Sequence, residues 1–207
     1  MGLASISGAV LAGGRSSRFG RDKALEVYGG LSLLERAVRA LDGCAERFVV
    51  GGTPERYGFL GLPVVPDPAP GLGPLAGLTA ALERSLFERV AVTACDMPGL
   101  SPAFWAYLAG FEPADLVIPQ GPHSLEPLAA IYGRTCLEPV RAALAASCLK
   151  LTGWHEELTA GGLTLAIVPW ASLEPRFGEG VFRNVNRPAD LEALEVGRSG
   201  GELTGRG

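Results

Sequence analysis

Gly8-Ala9-Val10-Leu11-Ala12-Gly13-Gly14-Arg15-Ser16-Ser17-Arg18-Phe19-Gly20-Arg21-Asp22-Lys23 runs from an apolar strand through a glycine pair into four cations within nine residues. The strand delivers the chain to a sheet edge. Gly13 and Gly14 let main-chain N–H groups approach an anion, and Arg15, Arg18, Arg21 and Lys23 supply charge, which is how a backbone loop meets a polyphosphate. A structural turn with solvated cations explains the glycines and two of the charges. It does not explain four in a chain where Asp and Glu outnumber Lys and Arg by 22 to 18. Spacing excludes two better-known phosphate loops. Five residues separate Gly14 from Gly20, with Arg21 and Asp22 before Lys23, so this is not a P-loop, and the dinucleotide Gly-x-Gly-x-x-Gly pattern is absent.

Working outward, short β-branched runs alternate with helical patterns. Ile6 to Leu11, Arg47 to Val50, Pro63 to Val65, Arg89 to Thr93, Asp115 to Ile118, Leu128 to Tyr132 and Leu165 to Val168 read as strands. Their near-continuous apolarity predicts a sheet covered on both faces. Ser32-Leu33-Leu34-Glu35 is a capping box opening an amphipathic helix that Gly43 ends, so the first two strands pair in parallel. Further helices are predicted over Leu75 to Leu86, Pro102 to Ala109 behind Ser101, Thr135 to Ala146 and Pro188 to Leu194. The pattern is a single-domain α/β fold: a doubly wound, mostly parallel sheet, with ligands beyond the carboxyl ends of its strands.

A chain of 207 residues with net charge −4 and no basic run carries no nucleic-acid footprint. Cys44, Cys95, Cys136 and Cys148 show no C-x-x-C spacing, and His123 and His155 do not complete a metal set, so apolar filling in a reducing cytosol is the expected role of the cysteines. The apolar stretch from Leu3 to Ala12 lacks a preceding positive charge and reads as the first strand, not a signal peptide. No run is long enough to span a bilayer, and a soluble cytoplasmic protein is expected. The domain is expected over residues 1–196. Residues 197–207, rich in Gly and polar groups, are expected to form a disordered tail.

Three further constellations follow strand ends. Asp96 comes directly after Val90-Ala-Val-Thr-Ala94, and Pro98 stops the strand from continuing, so the carboxylate faces the crevice. A lone strand-end aspartate opposite a phosphate loop suits Mg²⁺, which takes one or two carboxylates plus phosphate oxygens and water; the plainer alternative is a turn aspartate bonding its own backbone. Pro66-Asp67-Pro68, followed by Gly71 to Gly77, fits a rigid connection and a nucleoside contact equally well. Asn184-Val185-Asn186 precedes a helix, and Asn186 suffices as its N-cap; Asn184 shares a face with it in an extended segment. Serine-hydrolase and cysteine-nucleophile readings fail, because no Gly-x-Ser-x-Gly elbow exists and Cys95 lies at an apolar strand terminus.

Taken together, Leu11 to Lys23, Gly73-Pro-Leu-Ala-Gly77, Cys95-Asp-Met-Pro98, Glu126-Pro-Leu128 and Asn184-Val-Asn-Arg-Pro188 resemble, in order and spacing, the molybdenum cofactor guanylyltransferase family. The resemblance implies a Rossmann-like, nucleotide-diphospho-sugar transferase-like enzyme. It would move GMP from GTP to the terminal phosphate of molybdenum-molybdopterin, release pyrophosphate and require Mg²⁺. By motif, Leu11, Ala12, Gly13, Gly14 and Gly77 would line the nucleotide site, Asp67 would touch the nucleoside, Lys23 and Arg18 would act on phosphates, and Asp96 would bind Mg²⁺. Asn184 and Asn186 would lie toward the pterin. The resemblance also implies a monomer that meets molybdenum insertion proteins and apo-molybdoenzymes. The chain departs from the pattern at Gly51-Gly52-Thr53, where members of the family can place an asparagine on the nucleotide. Two alternatives stand beside this reading: a related nucleotidyltransferase for CTP or another phosphorylated acceptor, and a non-catalytic delivery module, against which the presence of both Lys23 and Asp96 speaks.

Overall fold

The structure is a computed structural model that describes residues 2–13, 22–67, 69, 71–147, 151, 159 and 161–201. Gly14, Arg15, Arg18, Arg21, Pro68, Cys148 and His155, for which the sequence sets expectations, lie outside the described residues. In chain order the elements are β1 (Ser7–Leu11), β2 (Val27–Tyr28), β3 (Leu31–Ser32), α1 (Leu33–Ala40), β4 (Glu46–Val50), α2 (Pro54–Tyr57), β5 (Val64–Val65), α3 (Pro74–Arg84), β6 (Arg89–Ala94), α4 (Pro102–Ala109), β7 (Leu116–Pro119), β8 (Ala129–Gly133), α5 (Leu137–Ala145), β9 (Leu165–Val168), α6 (Trp170–Phe177) and α7 (Pro188–Gly201).

Seven strands form one sheet in the order β5-β4-β1-β6-β8-β7-β9. Pairing is parallel except that β8 runs against both β6 and β7, so six strands point one way and end on one edge. Side chains alternate between two cores, as a pleated strand requires. Val10, Val49, Ala91, Val117 and Ile131 face one layer with α1, α4 and α6, whereas Leu11, Phe48, Val92, Ile118 and Tyr132 face the other with α3 and α5. In the first layer Phe104 packs edge-on against Trp105, Phe177 and Phe182. The capping box at α1 is complete, with Ser32 Oγ accepting from Glu35 N–H while the Glu35 carboxylate accepts from Ser32 N–H.

The seven predicted strands all lie in this sheet and the predicted helices all form, most bounds shifting by only one or two residues. The helix at Pro188 continues through Gly201 instead of ending at Leu194, so residues 197–201 of the expected disordered tail are helical. Leu191 and Leu194 pack with Tyr28, Leu33 and Val185, which anchors the first turns from which the helix propagates. Residues 170–177 form a helix that was not predicted. Cys44, Cys95 and Cys136 carry free thiols, and Cys95 and Cys136 are buried, in line with filling.

The parallel ladder continues past the strand ends. Ala12 N–H donates to Val50 O at 2.8 Å, Gly51 N–H to Val65 O at 2.8 Å, and Cys95 N–H to Leu11 O at 3.3 Å. Each loop therefore leaves from a fixed point. Gly51 is glycine for two reasons: its φ is +96°, and a Cβ there would sit 2.6 Å from Gly13 N and 2.8 Å from Gly13 Cα. Replacing it, Gly51→Ala, should cost at least about 2 kcal/mol and lower the melting midpoint by roughly 4 °C or more. A thermal denaturation curve superimposable on the parent's would contradict this packing.

Candidate active site

Three polar side chains lie along the carboxyl edge, two of them in contact. Lys23 opens a single 3₁₀ turn, residues 23–25, that Asp22 caps by accepting from Ala24 N–H at 3.1 Å. From there Lys23 Nζ reaches Asp96 Oδ2 at 2.7 Å, and both side chains are 19% exposed. Asp96 is held from behind, because its carbonyl accepts from Val185 N–H at 2.8 Å. On the other side of β1, the Asp67 carboxylate lies against Gly13: a Cβ on that glycine would sit 3.5 Å from Asp67 Oδ2. Asp67 Oδ1 is already committed to Ala69 N–H at 3.0 Å.

The predicted site residues are thus largely brought together. Leu11, Ala12 and Gly13 end β1 between Asp67 and Asp96, with Leu11 buried and Gly13 exposed. Gly77 lies behind them. It is buried on α3, where a Cβ would touch Leu11 Cδ1 at 3.3 Å, so helix-to-strand packing accounts for that glycine. Asn184 and Asn186 are exposed on either side of buried Val185, one residue from the Asp96 carbonyl contact. The expected N-cap role of Asn186 takes another form: the Asp190 carboxylate reaches back to accept from Asn186 N–H at 2.7 Å and Arg187 N–H at 2.8 Å.

Sequence reasoning missed a support around Asp22. Its Oδ2 accepts from Tyr57 Oη at 2.8 Å and pairs with Arg56 Nε at 2.6 Å, while the Tyr57 ring lies where a Gly52 side chain would be, 2.2 Å from its Cβ position. Tyr57 and Arg56 belong to α2, so the turn after β4 fixes the residue next to Lys23. Thr53-Pro54 carried the signal for that helix, since proline suits the first turn. Burial and the Asp22 carboxylate push the Tyr57 hydroxyl well above its ordinary range, so it stays a donor. Burial likewise pushes the Cys95 thiol up to about 12, and it is not a nucleophile at neutral pH.

Glu126, at the turn into β8, was also missed as a single residue. Burial raises its carboxyl to about 7, against a smaller opposing hydrogen bond with Ser124. The folded protein therefore retains a proton that the unfolded chain loses in the ordinary carboxylate range. Stability from this group declines as pH rises from that range to about 7, and stays reduced above it. Glu126→Gln is neutral throughout, so its melting midpoint relative to the parent should rise between pH 4.5 and 7.5 and then level off, a gain of about 1 kcal/mol after solvent screening. A difference that is flat across pH would show that the Glu126 carboxyl titrates normally.

A hard divalent cation fits the chemistry of Asp96, a single carboxylate just past the end of β6 that keeps 19% of its side chain exposed. Among the described residues no group of three His, Cys, Asp or Glu side chains forms a metal cluster of its own. No described helix is long and apolar enough to cross a membrane.

Residues 8–158 match the MobA-like NTP transferase domain. The chain is 36% identical over 208 residues to the probable molybdenum cofactor guanylyltransferase of Deinococcus radiodurans, covering 98% of this chain and 95% of that one. It is 40% identical over 203 residues to the protein of the same name from Chloroflexus aggregans, covering 92% and 94%. Among solved structures, molybdopterin-guanine dinucleotide biosynthesis protein A from Archaeoglobus fulgidus superposes with a TM-score of 0.73 at 26% identity, covering 94% of this chain and 99% of that one. A strand-end aspartate paired with a loop lysine, on a sheet of this order, thus occurs in a chain that belongs to the MobA-like NTP transferase family.

Proposed function

We propose that this protein transfers GMP from GTP to the terminal phosphate of molybdenum-molybdopterin, forming the guanine dinucleotide cofactor and releasing pyrophosphate. The observation that carries the reading is the 2.7 Å contact between Lys23 and Asp96 beside the Gly13 loop, on a chain that matches proteins named for this activity along nearly their whole length. In the reaction an oxygen of the acceptor phosphate attacks the α-phosphorus of GTP, the bond from that phosphorus to the β-phosphate bridging oxygen breaks, and pyrophosphate leaves with the electron pair. The attacking oxygen is ionised at neutral pH and needs no general base. Repulsion between anions is the obstacle, so the protein's task is charge and alignment.

The roles of the individual residues belong to the same proposal. The Lys23 ammonium moves from Asp96 to the GTP phosphates, assisted by Arg18 and the Gly13-Gly14 backbone. Asp67, beside Gly13, accepts from the nucleoside. Leu11 and Ala12 contribute main chain, while Asn184 and Asn186 extend from the far side of Asp96 toward the acceptor. Asp96 would hold Mg²⁺, which when bound offsets phosphate charge. Asp22, Tyr57 and Arg56 position Lys23 without touching substrate. The protein acts in the cytoplasm as a monomer that meets molybdenum insertion proteins and apo-molybdoenzymes.

Asp96→Asn should fold normally yet lose at least about 100-fold in pyrophosphate release from GTP and molybdopterin across a magnesium titration. Parent-like turnover in that titration would remove Asp96 from the mechanism. Tyr57→Phe keeps the ring on Gly52 and deletes one hydrogen bond, so KM for GTP should rise about three- to tenfold while KM for the acceptor holds. Equal changes in both constants would mean that the Asp22 support does not act through Lys23.

A further inference from the structure

The sheet order divides the site at β6. Gly13, Gly51 and Asp67 leave the ends of β1, β4 and β5 and lie on one side of Asp96. On the other side stand β8, β7 and β9, and the carboxyl edge there includes the tight connection from Pro119 to Ala129. Glu126 sits in that connection, two residues before Leu128, whose carbonyl accepts from Ala94 N–H at 3.2 Å, and Ala94 is two residues before Asp96. The connection is pinned by Gly121 N–H donating to Ser124 O at 2.7 Å and Glu126 N–H to Pro119 O at 2.9 Å. Glu126 is therefore on a rigid support in the half of the site that the nucleotide residues leave free.

Its surroundings make room for a carboxylate and leave it under-satisfied. A Cβ on Gly121 would sit 2.5 Å from Glu126 Oε1, so the carboxyl occupies space that any larger residue at 121 would fill. It is half-buried, the Ser124 hydroxyl contributes a hydrogen bond, and no ion-pair partner is present among the described residues. A carboxylate offers about four lone-pair sites, and leaving them poorly matched in a partly dry position is costly unless a ligand completes them. A pterin presents two adjacent donors, the ring N3–H and the 2-amino group, in the spacing that a carboxylate accepts bidentately.

We propose that Glu126 is the acceptor-specificity residue of this enzyme, its carboxylate receiving the N3–H and 2-amino donors of the pterin ring. The proposal rests on the guanylyltransferase reading above. Guanine carries the same donor pair, and placement decides between the two rings, because the nucleotide residues lie across β6 from Glu126.

The test uses the full-length parent, Glu126→Gln and Glu126→Asp in the pyrophosphate-release assay with GTP and molybdopterin, together with binding of 2-amino-4-oxopteridine and of 2,4-dioxopteridine, which lacks the amino donor. The expected result is a tenfold or greater rise in acceptor KM for Glu126→Gln with KM for GTP unchanged, and partial recovery in Glu126→Asp. The parent should prefer the amino compound by about tenfold or more, and Glu126→Gln should lose that preference. Unchanged acceptor KM, a rise confined to GTP, or a preference that survives in Glu126→Gln would overturn the assignment. A parent that releases no pyrophosphate from GTP and molybdopterin would instead overturn the guanylyltransferase reading, and in that case the pteridine preference still decides whether Glu126 reads the amino edge. GTP affinity and melting midpoint at pH 5 show that each variant is folded.

Discussion

The ion pair between Lys23 and Asp96 is the contact around which this site is arranged. Two residues 73 positions apart in the chain meet at 2.7 Å, each about one-fifth exposed, at the edge where six strands end. At that exposure the pair lies between a surface bridge, worth up to about 1 kcal/mol, and a buried one whose desolvation offsets much of its attraction, so its presence is poorly explained by stability. In the proposed reaction a polyphosphate would take the ammonium and a divalent cation the carboxylate, so that neither charge is left unpaired when the two separate.

The strand order makes that meeting possible. β1 is central, between β4 and β6, so Leu11, Val50 and Ala94 finish side by side, and the hydrogen bonds that run past the strand ends carry the alignment into the loops. Close approach then sets residue choice. Gly51 sits on the Gly13 backbone, and Gly52 lies under Tyr57. Gly51 and Gly52 are thus explained by main-chain contact and by the Tyr57 side chain, which in turn holds Asp22 and the turn bearing Lys23.

Much of this was legible from residues alone, for identifiable reasons. The seven main strands are continuous apolar runs because helices cover both faces of the sheet, and Ser32 with Glu35 marks the start of α1 by its own chemistry. Elements that lack periodicity were not. The hairpin of β2 and β3 has two residues per strand, too few to alternate, and α6 contains Pro175, whose missing N–H and ring argue against the helix that nevertheless forms. In the site, Lys23 and Asp96 announced themselves by following strands or glycines. Asp22 did not, since its importance lies in partners from α2 that no local pattern predicts, and Glu126 acquires its character from Gly121 and from burial, neither visible in the residue itself.

The most direct test of the central claim is a crystal structure of the protein with a non-hydrolysable GTP analogue and Mg²⁺. The account predicts the triphosphate lying between the Gly13 loop and β6, with Lys23 Nζ on phosphate oxygens, the ion on Asp96, and the 2.7 Å contact between the two side chains broken. A nucleotide bound elsewhere on the molecule, with Lys23 and Asp96 still joined, would contradict it.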